Sequence, residues 1–405
     1  PDGLPCALLS INMLNFKIYN DVMGYSEGDA LLKAFARILE REAPRPVLVA
    51  RMLADAFLVL FPYKGKGELV TYCEGYSRAL NGFIVSREQN YQLELRSGIC
   101  CVEDSDASDI NSLLDRANMA LKTIKVKGAA QWKFYDHTMR DKLLREKDLE
   151  IRMEKALADG EFLVYIQPKY WVGTRALAGG EALVRWKSPD QGFLSPGEFI
   201  PLFEKNRFIV KLDQFMFTSV CGLLRQWLDA GIEPRPLSVN VSRMQFHTPD
   251  FVERYIRIKS QYAIPDGLLE LEFTESIFFD NVALLSSAVH ELRRAGIKCS
   301  IDDFGAGYSS LNVLKALPVS VLKLDGMFFR TAKDDEQAKI VIRNIMRMAG
   351  ELKMSTVAEG VETHEQVAFL ETTGCDIIQG YVFARPMPAA EFTELLAGDG
   401  GHAER

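Results

Sequence analysis

From Gly160 onward the chain repeats one unit, a short β-rich run followed by a helical pattern. Such runs occupy Leu163 to Gln167, Gly180 to Trp186, Leu237 to Ser242, Leu269 to Thr274, Lys298 to Phe304, Val321 to Asp325, Ser355 to Gly360 and Asp376 to Tyr381. Eight strands with helices between most of them, in about 240 residues, is the count expected of a (β/α)8 barrel. Active sites of such barrels lie at the C-terminal ends of the strands. Here strand after strand ends in a residue that binds hard metals or handles protons: Glu181, Asn240, Glu272, Asp302 with Asp303, Lys323, Glu359 and Gln379. One acid at a strand end reads as a loop cap. A series in register reads as a site.

Buried carboxylates at this density repel one another and must be neutralised by protons or cations. An all-oxygen set favours Mg²⁺ or Mn²⁺ over zinc. None of the five histidines (His137, His247, His290, His364, His402) falls at a strand end, which removes His-ligated hydrolases. The adjacent pair Asp302 and Asp303 suits two metals, the arrangement that aligns water and leaving oxygen in phosphodiester hydrolysis. Arg185, just past Glu181, fits an anionic phosphate or a salt bridge at the barrel rim. A rival chemistry stays open on these residues alone: proton abstraction beside a carboxylate, with Mg²⁺ and Lys323 as base. That rival needs fewer ligands than are present.

The N-terminal part follows a different pattern. Strand signals at Cys6 to Asn12, two around a turn in Val47 to Phe61, Leu93 to Val102 and Trp132 to Tyr135 alternate with helical stretches at Gly28 to Arg41, Gly67 to Phe83 and Ser108 to Lys125. This predicts an α+β sandwich of helices on one sheet. Asp136 to Leu157 has no Gly or Pro, is densely charged, and carries a broken stripe at Met139, Leu143, Leu149, Met153 and Leu157. It reads as an inter-domain helix. The expected organisation is therefore 1–135 as first domain, 136–159 as linker helix, 160–397 as barrel and 398–405 as a disordered tail. A length of 405 residues agrees with two to three domains. The net charge of −7, from 48 basic and 55 acidic residues, leaves no basic surplus for gripping bulk nucleic acid. No apolar run is long enough to span a membrane, and the seven cysteines form no C-x-x-C pair, which predicts a reducing, cytoplasmic setting.

The run EALVRW at 181–186 resembles the signature of the EAL family of cyclic di-GMP phosphodiesterases. It is accompanied by YIQP at 165–168, PGEFIP at 196–201, SVNVS at 238–242, LEFTES at 271–276, DDFGAGYSSL at 302–311, LKLD at 322–325, VAEGVE at 357–362 and QGYVF at 379–383. The resemblance implies a TIM-like barrel that opens cyclic di-GMP to linear pGpG with two Mg²⁺ or Mn²⁺ per barrel. It implies that Glu181, Asn240, Glu272 and Asp302 hold the first metal and Asp302 with Asp303 the second. Lys323 and Glu359 would orient and deprotonate the water, Glu359 being either base or ligand. Gln379 would hold a water at the metal, while Gln167, Leu183, Arg185, Asp213 and Glu362 would contact the dinucleotide. Glu275 corresponds to the family's anchor for the loop Gly305 to Ser310, which the family couples to pairing of two barrels, so a homodimer is expected. Phe203 and Arg207 depart from the pattern, standing where a small residue and a Gly are usual, which puts the packing of that helix in question. The alternative is a cyclic di-GMP receptor that signals without turnover.

The first domain resembles a GGDEF domain, the family that makes cyclic di-GMP from GTP on a palm-like sheet, through FKIYNDVMGYSEGDALL at 16–32 and LLDRANMALKTIKVKG at 113–128. Its signature loop is altered to Leu53-Ala54-Asp55-Ala56-Phe57, and Asn12 stands where a metal-binding Asp is usual. Side chains at the two glycine positions obstruct a phosphate cradle, and Ala56 deletes a carboxylate. The domain is therefore expected to be catalytically inactive, with a structural or regulatory role. The family's inhibitory Arg-x-x-Asp is also absent, Pro44 and Val47 occupying those places. Asn20 and Asp29, with Asp55, match a vestigial nucleotide site that would sense GTP; the other reading is that Asn20 and Asp29 cap a turn and the helix starting near Gly28. The family's opening helix would lie upstream of Pro1, and a sensory or membrane part is expected before it.

Overall fold

The computed structural model describes residues 4–44, 48–87, 91, 93–104, 109–124, 131–275, 277, 282–305, 318–331 and 335–399. Val47, residues 400–405 of the expected tail and residues 306–310 of the loop after Asp303 lie outside the described residues, while 398 and 399, also expected in the tail, close the helix Ala389–Asp399. The chain divides into two compact units, Pro1–Asp148 and Leu149–Arg405.

In the first unit a five-stranded sheet runs β2-β3-β1-β4-β5. Its strands are β1 (Cys6–Met13), β2 (Leu48–Leu53), β3 (Ala56–Pro62), β4 (Leu95–Cys101) and β5 (Trp132–Phe134). Pairing is antiparallel except between β4 and β5. Alternation within β3 and β4 puts Phe57, Val59, Phe61, Leu95 and Ile99 into one core, against Phe35, Leu39, Tyr76 and Leu80 of helices α2 (Tyr25–Arg41) and α3 (Lys66–Ser86). The opposite face carries helix α4 (Ile110–Lys122), with Ala117 and Ala120 against Cys100. Gly98 makes that approach possible: a Cβ there would stand 1.9 Å from the Ala117 carbonyl oxygen. A helix over Phe16–Met23, α1, was not anticipated; Gly24, at φ 89°, separates it from α2.

The second unit is a closed barrel of β6 (Phe162–Trp171), β7 (Leu177–Ser188), β9 (Leu237–Asn240), β10 (Leu269–Thr274), β11 (Lys298–Phe304), β12 (Val321–Leu324), β13 (Ser355–Ala358) and β14 (Ile377–Ile378). Two short strands, β8 (Gly192–Leu194) and β15 (Met387–Pro388), extend its rim. One strand departs from the regular pattern. β6 is antiparallel to both neighbours, β7 and β14. Only Val172 to Ala176 joins β6 to β7, too short for the helical crossover that parallel strands require.

Polarity inside the barrel is inverted relative to a usual half-buried strand. In β10, Leu269, Leu271 and Phe273 face the outer core while Glu272, on the other face, is buried inside. The same alternation sends Cys299, Ile301, Leu322 and Leu324 outward and Ser300, Asp302 and Lys323 inward. The hydrophobic energy of the barrel therefore lies between strands and helices, and the interior is left to polar groups.

A second apolar cluster joins the C-terminal half of helix α5 (His137–Ala158), through Leu149 and Ala156, to α6 (Pro196–Asn206). Phe203 is fully buried there, with ring centroids 5.8 Å from Trp186, 5.4 Å from Phe199 and 4.8 Å from Phe208. The unusual size of Phe203 is thus met by an aromatic box. Arg207, the C-cap of α6, adopts the left-handed conformation at φ 67° that favours glycine. A left-handed L-residue costs about 1–2 kcal/mol. Arg207→Gly is expected to raise the stability of the barrel unit by about 1 kcal/mol, read as a higher midpoint in thermal or urea unfolding. No helix among the described residues is long and apolar enough to cross a membrane.

Candidate active site

At the barrel mouth the side chains from successive strand ends meet around Lys323. Its Nζ lies 2.5 Å from Glu272 Oε2, 2.5 Å from Glu359 Oε1, 3.1 Å from Asp302 Oδ1 and 3.5 Å from Glu181 Oε2. The ammonium is fully buried, which alone would drive its pKa down, yet Asp302, Glu181, Glu272 and Glu359 hold it well above the ordinary lysine value. Burial also opposes ionisation of Glu272. Lys169 and then Lys323, together with hydrogen bonds, outweigh it and keep that carboxyl at about 2. Glu181 and Glu359 are pushed upward, first by burial.

Amide groups complete the ring. Asn240 Nδ2 donates to Glu181 Oε1 at 2.7 Å, and Gln379 Nε2 donates to Glu181 Oε2 at 2.6 Å and to Gln167 Oε1 at 3.1 Å. Gln167 in turn donates to the Ala384 carbonyl at 3.3 Å. The Oε1 atom of Gln379 is buried without a hydrogen-bond partner among the described residues.

Successive strand residues point to opposite faces, so Asp302 and Asp303 cannot both reach the mouth from a straight strand. The β11–β12 ladder slips between Ile301 and Phe304, and Asp303 takes φ 53°. That irregularity turns the second carboxylate back toward the first. Ligand oxygens of Asp302, Asp303 and Glu359 lie within 4.8 Å of one another. Burial, then the charges of Asp302 and Asp325 and a hydrogen bond shared with Asp325, raise Asp303 to about 6. Glu275 is buried nearby and accepts from the Gly305 N–H at 3.1 Å.

Beside the ring lies a cavity of ≈ 290 Å³ whose lining includes Leu183, Arg185, Glu204, Asp213, Asn240 and Ser242 among apolar side chains. Arg185 donates to the Val184 carbonyl and lies over the Tyr165 ring, 5.6 Å from its centroid. Asp213 is buried; its Oδ2 accepts from Ser242 N–H at 3.0 Å and Gln245 Nε2 at 3.2 Å. Glu362 stands apart from the ring, exposed, its backbone N–H bonded to Gln366 Oε1. The sequence reading missed Lys169. It is buried on β6, with Nζ 2.7 Å from Ser238 Oγ and 2.9 Å from Glu272 Oε1. A lysine within an apolar run, two residues from Gln167 and so on the same strand face, was the available signal.

In the first unit the sites assigned to a nucleotide are not drawn into a comparable cluster. Asp55 accepts from the Met13 N–H at 3.2 Å, and Ala54 holds the hairpin turn at φ 50° with Leu53 exposed beside it. The Asn20 side-chain oxygen packs over Gly28, 1.8 Å from where a Cβ would be, and has no hydrogen-bond partner among the described residues. Asp29 is exposed. The capping alternative for Asn20 and Asp29 fails, because α2 begins at Tyr25 with Gly24 as its N-cap and no side-chain capping bond.

Residues 151–386 match the EAL domain family, and residues 2–131 match the diguanylate cyclase GGDEF domain family. The chain belongs to the EAL domain family, as the barrel of a GGDEF–EAL tandem. It is 31% identical over 394 residues to the cyclic di-GMP phosphodiesterase NbdA of Pseudomonas aeruginosa, covering 97% of this chain and 50% of that protein. It is 30% identical over 392 residues to the bifunctional diguanylate cyclase/cyclic di-GMP phosphodiesterase MucR of the same organism, covering 96% of this chain and 57% of that protein. The solved c-di-GMP complex of the PaMucR phosphodiesterase is 35% identical, with a TM-score of 0.58, covering 60% of this chain and 99% of that one. The chain spans about half to three-fifths of the length of the first curated relatives it matches.

Asp213 gives a pH signature. Burial lifts its carboxyl to about 7 in the folded chain, against roughly 3.9 when unfolded. A raised acid contributes stability that is full below the unfolded value and is lost as pH rises through the folded one. The unfolding midpoint of the parent should therefore fall relative to that of Asp213→Asn as pH rises from about 4 to about 7.

Proposed function

We propose that the barrel hydrolyses cyclic di-GMP to linear pGpG with two Mg²⁺ or Mn²⁺, and that the first domain makes no cyclic di-GMP. The observation that carries the reading is the convergence of Glu181, Glu272, Asp302 and Glu359 on Lys323, with Asp303 turned in beside them. Five carboxylates against two buried ammonium groups, Lys323 and Lys169, leave an excess of negative charge in a water-poor site. An all-oxygen donor set with the unpartnered Gln379 Oε1 fits hard divalent cations. The names of NbdA and MucR and the PaMucR complex support the substrate.

Glu181, Asn240, Glu272 and Asp302 would hold one cation, Asp302 and Asp303 the other, with Glu359 at either. Bound there, the cations supply Lewis-acid stabilisation of the phosphodiester and acidify the attacking water. Lys323 orients that water and neutralises charge developing on the phosphate, and Glu359, 2.5 Å from Lys323, receives the proton. Gln379 and Gln167 form the hydrogen-bonded wall beside Glu181. Leu183, Arg185 and Asp213 offer the dinucleotide a cavity of mixed polarity, with Arg185 as its cation and Glu204 and Asp213 as its acids, and Glu362 contributes from the rim. Glu275 fixes the backbone at Gly305, where the loop after Asp303 starts, and the same loop would mediate pairing of two barrels in a cytoplasmic homodimer. A receptor without turnover is the weaker reading, since each expected ligand side chain is in the chain.

Incubation with cyclic di-GMP and Mg²⁺ or Mn²⁺, followed by separation of nucleotides, is expected to yield pGpG; intact substrate would contradict the reading. Asp302→Ala and Glu181→Ala should each lower the rate by about 10²–10³-fold or more, as loss of a main electrostatic group does. Turnover of Asp302→Ala near the parent's would remove the two-metal assignment. GTP with either cation should yield no cyclic di-GMP, because Leu53, Ala54 and Ala56 replace the phosphate loop and Asp55 is bonded to Met13. Its appearance in the same separation would overturn the inactive assignment.

A further inference from the structure

Glu272 is gripped from two sides. Lys323 meets its Oε2 at 2.5 Å, and Lys169 meets its Oε1 at 2.9 Å. Lys323 is shared among four carboxylates, whereas Glu272 is the one carboxylate within ion-pair reach of Lys169 among the described residues. Lys169 arrives there because β6 is reversed. In the β6–β7 ladder Gln167 faces Glu181 and Lys169 faces Gly179, so Lys169 enters one side-chain layer below the ring. Gly179 presents no side chain, and a Cβ there would stand 2.4 Å from the Pro236 carbonyl oxygen. Ser238 accepts from the ammonium at 2.7 Å and steers it onto Glu272.

We propose that Lys169 is a positioning residue that pins one oxygen of Glu272 from beneath, so that the other oxygen alone is presented to a divalent cation at the mouth. The inference rests on the proposed metal-dependent reaction and deepens it. Glu272 is buried to 1% exposure, and a carboxylate stripped of its dedicated partner there is stranded in low dielectric. It then turns both oxygens to Lys323, which makes it a poorer ligand for a cation at the mouth. Lys169 is not among the residues that line the 290 Å³ cavity, and it lies one layer below the ring.

The test is a Mn²⁺ titration of the full chain, with unbound Mn²⁺ read by electron paramagnetic resonance, for the parent and Lys169→Met. Loss of an outer partner of a metal ligand lowers affinity about 10–100-fold, and that shift is expected. In hydrolysis assays the KM for cyclic di-GMP should be unchanged, while kcat falls at low Mn²⁺ and recovers as Mn²⁺ rises. A merely structural lysine would move KM, kcat and the unfolding midpoint together without this recovery. Equal or tighter Mn²⁺ binding by Lys169→Met overturns the proposal, the tighter case marking Lys169 as a competing charge. If Lys169→Met fails to fold, Ser238→Ala keeps the charge and removes the tether. It should weaken Mn²⁺ binding in the same direction, and parental affinity would overturn the proposal. The two claims separate: a parent that binds Mn²⁺ in a Lys169-dependent way but leaves cyclic di-GMP intact refutes the reaction and supports the positioning role.

Discussion

The buried ammonium of Lys323, within 3.5 Å of Glu181, Glu272, Asp302 and Glu359, is the interaction on which the second unit is organised. Carboxylates brought this close in a poorly solvated interior repel one another, and without a central cation each would be driven to its protonated form. The barrel can hold such a group because its apolar energy is placed elsewhere. Leu269, Leu271, Ile301, Leu322 and Leu324 pack outward against the helices, so the interior need not be hydrophobic. Stability and chemistry thus occupy opposite faces of the same strands.

Two backbone irregularities then shape the site. The reversed β6 brings Gln167 and Lys169 in from the opposite direction to the other seven strands of the closed barrel, adding an amide beside Glu181 and a second ammonium beneath Glu272. The slip in β11 turns Asp303 to the same side as Asp302, at the cost of a left-handed residue. The first unit shows no such convergence among its described residues. Its hairpin turns through Ala54 in the left-handed conformation, Asp55 is committed to the Met13 N–H and Leu53 faces solvent.

Strand number and the residues at strand ends were legible in the sequence, because a barrel converts linear register into convergence at one mouth. Glu181, Glu272, Asp302 and Lys323 meet as that rule requires. The reversal of β6 was less accessible: it depends on the short Val172 to Ala176 connection, which an eight-strand count overlooks. Lys169 was missed because the expected strand ended at Gln167, whereas β6 runs on to Trp171 and carries the lysine on the same face as Gln167. Helix α1 was hidden by its length and by Gly24, which separates it from α2 and mimics a turn. Phe203 and Arg207, read as departures, are explained by packing and backbone: the ring fills an aromatic box, and the arginine tolerates a glycine conformation.

The central claim is that these carboxylates are arranged to hold a pair of divalent cations across Asp302. Anomalous diffraction from crystals of the chain grown with Mn²⁺ addresses it most directly. The account predicts two peaks about 3.5–4 Å apart, both within bonding distance of Asp302, one contacting Glu181, Asn240 and Glu272 and the other Asp303. Absence of any peak at Asp302, with Lys323 still occupying the centre of the ring, would contradict it.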